Sequence, residues 1–180
     1  MLRKIYRKLY KIIIGKLFPI KFAKKIGVNF RGGVNIYGSV DWGTEPWIIT
    51  LGANVHVTDG VKFITHDGGT LLFRQVVPDL EITKPIIIGN DVYIGNNVII
   101  MPGVKIGNKV IVGAGAIVTH DISDNSVAVG VPAKVIKTSD EYFNKICEES
   151  LHLGHLKGEN KDRALMEYYN YKGNSKGIYF

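Results

Sequence analysis

Five histidines, one cysteine and sixteen carboxylates are the side chains through which this 180-residue chain can do acid–base, nucleophilic or metal chemistry. Histidine is the natural general base near neutral pH, because its ordinary pKa of about 6.5 leaves it able to take and return a proton. His66 is the best placed of the five. It stands in Phe63-Ile64-Thr65-His66-Asp67-Gly68-Gly69, where a regular pattern gives way to an irregular stretch. A carboxylate beside such an imidazole fixes its tautomer and favours the imidazolium that forms. Asp67 adjoins it in sequence, although neighbouring side chains often diverge. A zinc site needs three or four closely grouped ligands. His56 and His66 are ten residues apart, His120 is distant and Cys147 stands alone, so no metal is expected and no His-x4-His pair exists. The lone Cys147 also excludes an internal disulfide framework and suits a reducing compartment. His56 ends a regular unit facing outward, and His152 and His155 fall in a helical tail.

What positions these residues is a period of six. From Ile88 the chain places an aliphatic residue at 88, 94, 100, 106, 112 and 118, and a small or aliphatic one four residues after each. The same phase runs from Leu51 through Val57 to Phe63. Neither a 3.6-residue helix nor an alternating hairpin keeps such a period. A solenoid does: three hexads make one triangular coil, the first residue of each points inward, and Gly or Asn at the corners accepts positive φ. Parallel strands stacked about 4.8 Å apart then lay one aliphatic ladder over the next. The predicted fold is all-β, a parallel β-helix.

The clock is interrupted once. Leu51 and Ile88 are 37 residues apart, which is no multiple of six. The chain is therefore expected to leave the coil near residue 66 and return near 85, in a loop holding Asp67, Arg74, Gln75, Pro78, Asp79 and Glu81. Loops extruded from a rigid scaffold carry binding and chemistry more often than the scaffold does. Residues 28–50 read as an irregular first coil with Val34, Ile36, Val40 and Ile48 inward. Past Lys137 the repeat stops, and residues 138–180 read as a tail with short helices at 140–153 and 161–169.

These residues resemble the left-handed β-helix, hexapeptide-repeat acyltransferases, over residues ~28–137. Gly43-Thr44-Glu45-Pro46-Trp47, the Phe-x-Thr-His-Asp-Gly stretch and the ending Gly130-Val131-Pro132-Ala133-Lys134 resemble the branch that contains the xenobiotic, galactoside and capsular-polysaccharide O-acetyltransferases. The resemblance implies a homotrimer using acetyl-CoA, with His66 as general base towards a saccharide hydroxyl and direct attack without a covalent intermediate. It implies that Glu45, near the acceptor pocket, is a further catalytic candidate beside His66 and Asp67, with Asp41 and Trp42 as weaker acceptor contacts. The CoA arm would pass Gly95, Gly113, Ala114, Gly115 and His120, with Lys134 and Lys137 meeting its phosphates through charge-assisted hydrogen bonds. Tyr93, expected as a substrate contact, stands where the branch often has Trp and keeps an aromatic there. An amino-sugar N-acetyltransferase and a non-catalytic scaffold remain open as alternatives.

The net charge of +7 is not spread evenly. Residues 1–25 hold nine of the 23 basic residues and no acid, leaving 14 basic against 16 acidic residues elsewhere. A near-neutral body argues against nucleic-acid binding. In the basic segment Leu2, Ile5, Leu9, Ile12 or Ile13, and Leu17 would share one helical stripe, so residues 1–27 are expected to hold an amphipathic helix. It could lie on an anionic membrane through residues 1–18 or cap the open end of the solenoid. No apolar run is long enough to span a bilayer or to form a signal-peptide core, so a cytoplasmic location is expected, peripheral at the inner face of the membrane if residues 1–18 lie on it.

Overall fold

An inward aliphatic residue at every sixth position needs a neighbour above and below it, and stacked coils supply both. A computed structural model of the chain describes residues 14, 15 and 17–173. The stripe expected over residues 2–18 thus lies almost wholly outside the described residues. After a short helix, α1 (Pro19–Lys25), fourteen strands follow: β1 (Asn29–Phe30), β2 (Val34–Tyr37), β3 (Val40–Asp41), β4 (Ile49–Leu51), β5 (Val55–Thr58), β6 (Val61–Phe63), β7 (Ile86–Ile88), β8 (Val92–Ile94), β9 (Ile99–Ile100), β10 (Lys105–Ile106), β11 (Val110–Val112), β12 (Ile117–Val118), β13 (Ser126–Val129) and β14 (Lys134–Thr138). Two helices close the described chain, α2 (Ser139–Glu148) and α3 (Gly158–Tyr168). By contacts the chain forms two compact units, residues 1–142 and 143–180.

Through β12, every third strand joins the same sheet. One face orders β1-β4-β7-β10, the second β2-β5-β8-β11-β13-β14 and the third β3-β6-β9-β12. All pairings are parallel except β13 with β14, which turns back antiparallel at the end of the second face. Strands of all three faces thus recur once per coil, the arrangement a β-helix requires.

The first and fifth places of the hexads are the core. Ile88, Ile94, Ile100, Ile106, Val112 and Val118 are buried, and so are Val92, Val98, Val104, Val110, Ala116 and Ile122. Removing such side chains from water contributes roughly 1.5–3 kcal/mol each. The first coil departs from the expected register. Ile49 is fully buried where Ile48 was expected, because a 3-10 turn at Pro46–Ile48 advances the chain by one position.

Corners are held by two devices. Asn54, Asp91, Lys109 and Asn125, between the first and second faces, all adopt left-handed φ of 53–56°. Beside them runs a side-chain ladder: Ala53 N–H donates to Asn90 Oδ1 at 2.8 Å, Asn90 N–H to Asn108 Oδ1 at 2.9 Å, and Asn108 N–H to Asp124 Oδ1 at 2.8 Å. Each rung satisfies a corner amide that the strands leave unpaired.

Candidate active site

The corner between the third and first faces is where coils differ in length. In the regular coil it is the four residues 101–104 between β9 and β10; one coil earlier it is 64–85, and one earlier still 42–48. The register confirms these insertions: Val92 pairs with Val110 eighteen residues on, Val55 with Val92 after 37, and Val34 with Val55 after 21. Both lengthened corners sit on adjacent coils, so what they carry is stacked. The first carries Thr44 and Glu45, the second Thr65 and His66.

The four side chains form one network. His66 Nδ1 lies 3.2 Å from Glu45 Oε2 and 3.0 Å from Thr44 Oγ1. The Thr65 hydroxyl donates to the same Glu45 Oε2 at 2.5 Å. Thr65 is fully buried, Glu45 half-buried and His66 more open. Hydrogen bonds from Thr65 and then Thr44 hold the Glu45 carboxyl below its ordinary value, with smaller help from His66 and against the opposing cost of burial. An ionised carboxylate only accepts, so the proton between the two residues belongs on His66 Nδ1. Nε2 is then the nitrogen with a lone pair, the tautomer a general base requires.

The neck of the excursion keeps His66 in place. His66 and Thr83 form an antiparallel bridge, Asp67 N–H donates to Ile82 O at 2.9 Å, and Lys84 N–H to Thr65 O at 2.9 Å. Within the loop Arg74 donates to Glu81 Oε2 at 2.6 Å and to Leu80 O at 3.1 Å, so the excursion is internally tied.

Other sequence expectations fare differently. Asp67, expected as a carboxylate beside the imidazole, caps the 3-10 turn Gly68–Phe73 through Gly69 N–H at 2.8 Å; Glu45 occupies the position facing Nδ1. Trp42, expected as an acceptor contact, is only 4% exposed and stacks on Phe63 with ring centroids 5.0 Å apart, so it belongs to the core. The exposed tryptophan is Trp47, at 63%, two residues after Glu45. Asp41 is exposed on β3 and accepts from Gly43 N–H at 3.0 Å. Tyr93 is exposed on the second face, between His56 above and Ile111 below, on a different face from the corner that holds His66.

The residues assigned to the CoA arm divide by geometry. Gly95 and Gly113 are glycine for stacking: a Cβ on Gly95 would lie 2.6 Å from Ala114 N, and one on Gly113 2.7 Å from a Val129 methyl. Ala114 and Gly115 are exposed at the corner between the second and third faces, with open space around Gly115. On β14, exposed Lys134 pairs with Val129 beside that corner, and half-buried Lys137 pairs with Val127 in the middle of the second face. His120 is exposed and pairs with Thr119 Oγ1 at 2.8 Å. Among the described residues no group of three His, Cys, Asp or Glu could hold a metal ion. The Thr44 and Thr65 contributions were not read from the sequence; the signal available was the hydroxyl residue adjoining each named candidate.

Known proteins share this architecture. Residues 85–120 match the family described as bacterial transferase hexapeptide (six repeats). Protein CapG of Staphylococcus aureus is 41% identical over 152 residues, covering 83% of this chain and 86% of that protein. The galactoside O-acetyltransferase of Escherichia coli (strain K12) is 37% identical over 121 residues, 66% of this chain, and the chain spans 58% of that relative's length. Among solved structures, a maltose O-acetyltransferase from Clostridium difficile 630 superposes with a TM-score of 0.52 at 28% identity, covering 66% of this chain and 73% of that one.

Proposed function

Because the chain belongs to the hexapeptide-repeat transferases, we propose that it is an O-acetyltransferase that moves an acetyl group from acetyl-CoA to a hydroxyl of a saccharide. The single observation carrying this reading is the Glu45–His66 pair, stacked on two lengthened corners with Nδ1 held by the carboxylate. His66 Nε2 removes the proton of the acceptor hydroxyl, and Glu45 stabilises the imidazolium that results. The oxygen attacks the acetyl carbonyl directly, and the imidazolium returns its proton to the departing sulfur. Acetyl-CoA supplies the activated acetyl group, and Ala114, Gly115, Lys134 and Lys137 would hold it. Relatives named for galactoside and maltose O-acetylation support a sugar hydroxyl as acceptor. Winding is left-handed, as in the family.

The active form is a homotrimer. Leu71, Leu72, Phe73 and Val76 expose apolar side chains on the 66–85 loop, Val76 as much as 82%, which suits a second copy better than water. The fold places Ala114 and Gly115 on a different corner from His66, so a neighbouring subunit is the natural source of a complete site.

The test is kinetic and calorimetric. His66→Ala lowers acetyl transfer to the acceptor by roughly 10²–10⁴-fold while acetyl-CoA binding, measured by titration, is unchanged. Equal turnover of variant and wild type would remove His66 from the mechanism, and no binding at millimolar acetyl-CoA would remove the transferase reading itself.

A further inference from the structure

A helix packed on one end of a solenoid should show water a polar back, and α1 does not. The stripe Pro19, Phe22, Ala23 and Ile26 keeps the i, i+3, i+4, i+7 spacing that turns one side to the coil, with Ala23 fully buried and the other three half-buried. The residues between them face the other way: Ile20, Lys21, Lys24 and Lys25 are exposed. Ahead of the helix Leu17 and Phe18 are exposed too, at 64% and 54%. Apolar tips and ammonium groups thus share one surface. Residues 1–40 contain no acid, and Arg3, Lys4, Arg7, Lys8, Lys11 and Lys16 precede Leu17 in the chain. Asp41 and Asp59 share a cavity with α1, but each accepts a backbone N–H of the solenoid, Gly43 at 3.0 Å and Ser39 at 2.6 Å. Lys24 holds its ammonium 5.9 Å from the centre of the Phe30 ring, a contact that favours the charged form.

We infer that the outward surface of Leu17, Phe18 and α1 docks on an anionic membrane. Charge separates this surface from other exposed apolar runs. Leu71, Leu72, Phe73 and Val76 share their loop with Asp67, Asp79 and Glu81, and Arg74 there is paired with Glu81. Phe143 and Ile146 share α2 with Asp140, Glu141 and Glu148. A nucleic acid would meet the lysines of the α1 surface but leave Leu17, Phe18 and Ile20 uncovered. A bilayer of anionic lipid satisfies both kinds of group. Headgroup phosphates take the ammonium ions, the lysine stems reach along the headgroup level, and the apolar side chains enter the acyl boundary. Each cation near such a surface is worth about fivefold in partitioning, so Lys21, Lys24 and Lys25 together carry on the order of a hundredfold. The lengthened corner 42–48 lines one cavity with α1, so docking brings that end of the solenoid, and the corner with it, to the bilayer.

The experiment is cosedimentation of the full chain with vesicles of phosphatidylcholine alone, or of equal parts phosphatidylcholine and phosphatidylglycerol. Binding to the anionic vesicles is about tenfold or more tighter than to the neutral ones, and it weakens as sodium chloride is raised. Lys21→Glu with Lys24→Glu lowers affinity for the anionic vesicles about tenfold or more. Leu17→Ser with Ile20→Ser independently lowers it about tenfold, at an unchanged salt dependence. All four side chains are exposed, and far-UV circular dichroism with an unchanged urea midpoint shows that each variant is folded. Equal binding to the two kinds of vesicle, or undiminished binding in either folded variant, overturns the inference. So does duplex DNA that displaces the protein from the vesicles, which would give the surface to nucleic acid. None of these results touches the transferase reading, which stands or falls on acetyl-CoA binding and on His66→Ala.

Discussion

At the scale of single residues, the division of labour between two carboxylates decides what each substitution does. Glu45 faces His66 Nδ1 and is held ionised by two threonine hydroxyls, whereas Asp67 caps a turn. Glu45→Gln keeps the shape but offers an amide that can donate to Nδ1, which moves the imidazole proton to Nε2 and occupies the lone pair the reaction needs. Steady-state kinetics should show turnover falling on the order of 10–10³-fold with acetyl-CoA affinity unchanged. Asp67→Ala should instead lower stability by about 1 kcal/mol through the lost cap, with turnover reduced far less. The Glu45 carboxyl sits below its ordinary value in the folded protein, so its contribution to stability is present above the unfolded value and disappears as pH falls through the lowered one. Urea midpoints of wild type and Glu45→Gln should therefore differ at pH 7 and converge as the solution is made strongly acidic. A gap that persisted unchanged into acid would mean that the charge contributes nothing. Sequence adjacency offered Asp67 and the family resemblance offered Glu45 as the carboxylate beside His66; successive residues of an extended chain point to opposite sides, and Glu45, 21 positions earlier and one coil away, is the one that meets the imidazole.

At the scale of elements, stacking explains both what the sequence revealed and what it hid. The hexads from Ile88 to Ile122 were legible because each inward position repeats the same environment, and all twelve are buried as expected. Ile49 replaced Ile48, and α1 arose within a segment read only as a long amphipathic helix, because the first coil has no coil beneath it to enforce the period. The glycines illustrate a related ambiguity. Gly95 reads equally as a ligand-approach residue and as a corner residue; the 2.6 Å approach of Ala114 N to its missing Cβ shows that packing alone requires glycine there. Gly95→Ala should accordingly destabilise the protein by about 1–3 kcal/mol in urea unfolding. Gly115, with φ of 72° and open space around it, is the position where a backbone surface is available to a ligand. The ladder Asn90–Asn108–Asp124 is similarly quantifiable. Asn108→Ala leaves the Asn90 amide without its partner, and the expected cost is about 1–3 kcal/mol.

At the scale of the molecule, the proposed trimer makes a prediction that no single chain can. The exposed loop residues Leu71, Leu72, Phe73 and Val76 would be covered in the assembly, so Leu72→Glu should shift sedimentation velocity from trimer towards monomer and reduce turnover with it. A trimeric Leu72→Glu protein of full activity would place the interface elsewhere. The excursion was legible from the broken period, but the outward exposure of Leu71, Leu72 and Phe73 was not, because no repeat constrains side-chain direction within it.

The closed neck at His66–Thr83 has one more consequence. Seen from the solenoid, residues 67–82 are a detour that returns to the next coil in register, so the covalent link through the loop is not what holds coils two and three together. Their union is made by three parallel strand pairs and a continuous aliphatic ladder. A protease that cuts after Arg74 should yield two fragments that elute as one particle and separate only in denaturant. The enzyme is in this sense a two-piece object joined by its own interior, and split halves expressed as separate polypeptides should find one another.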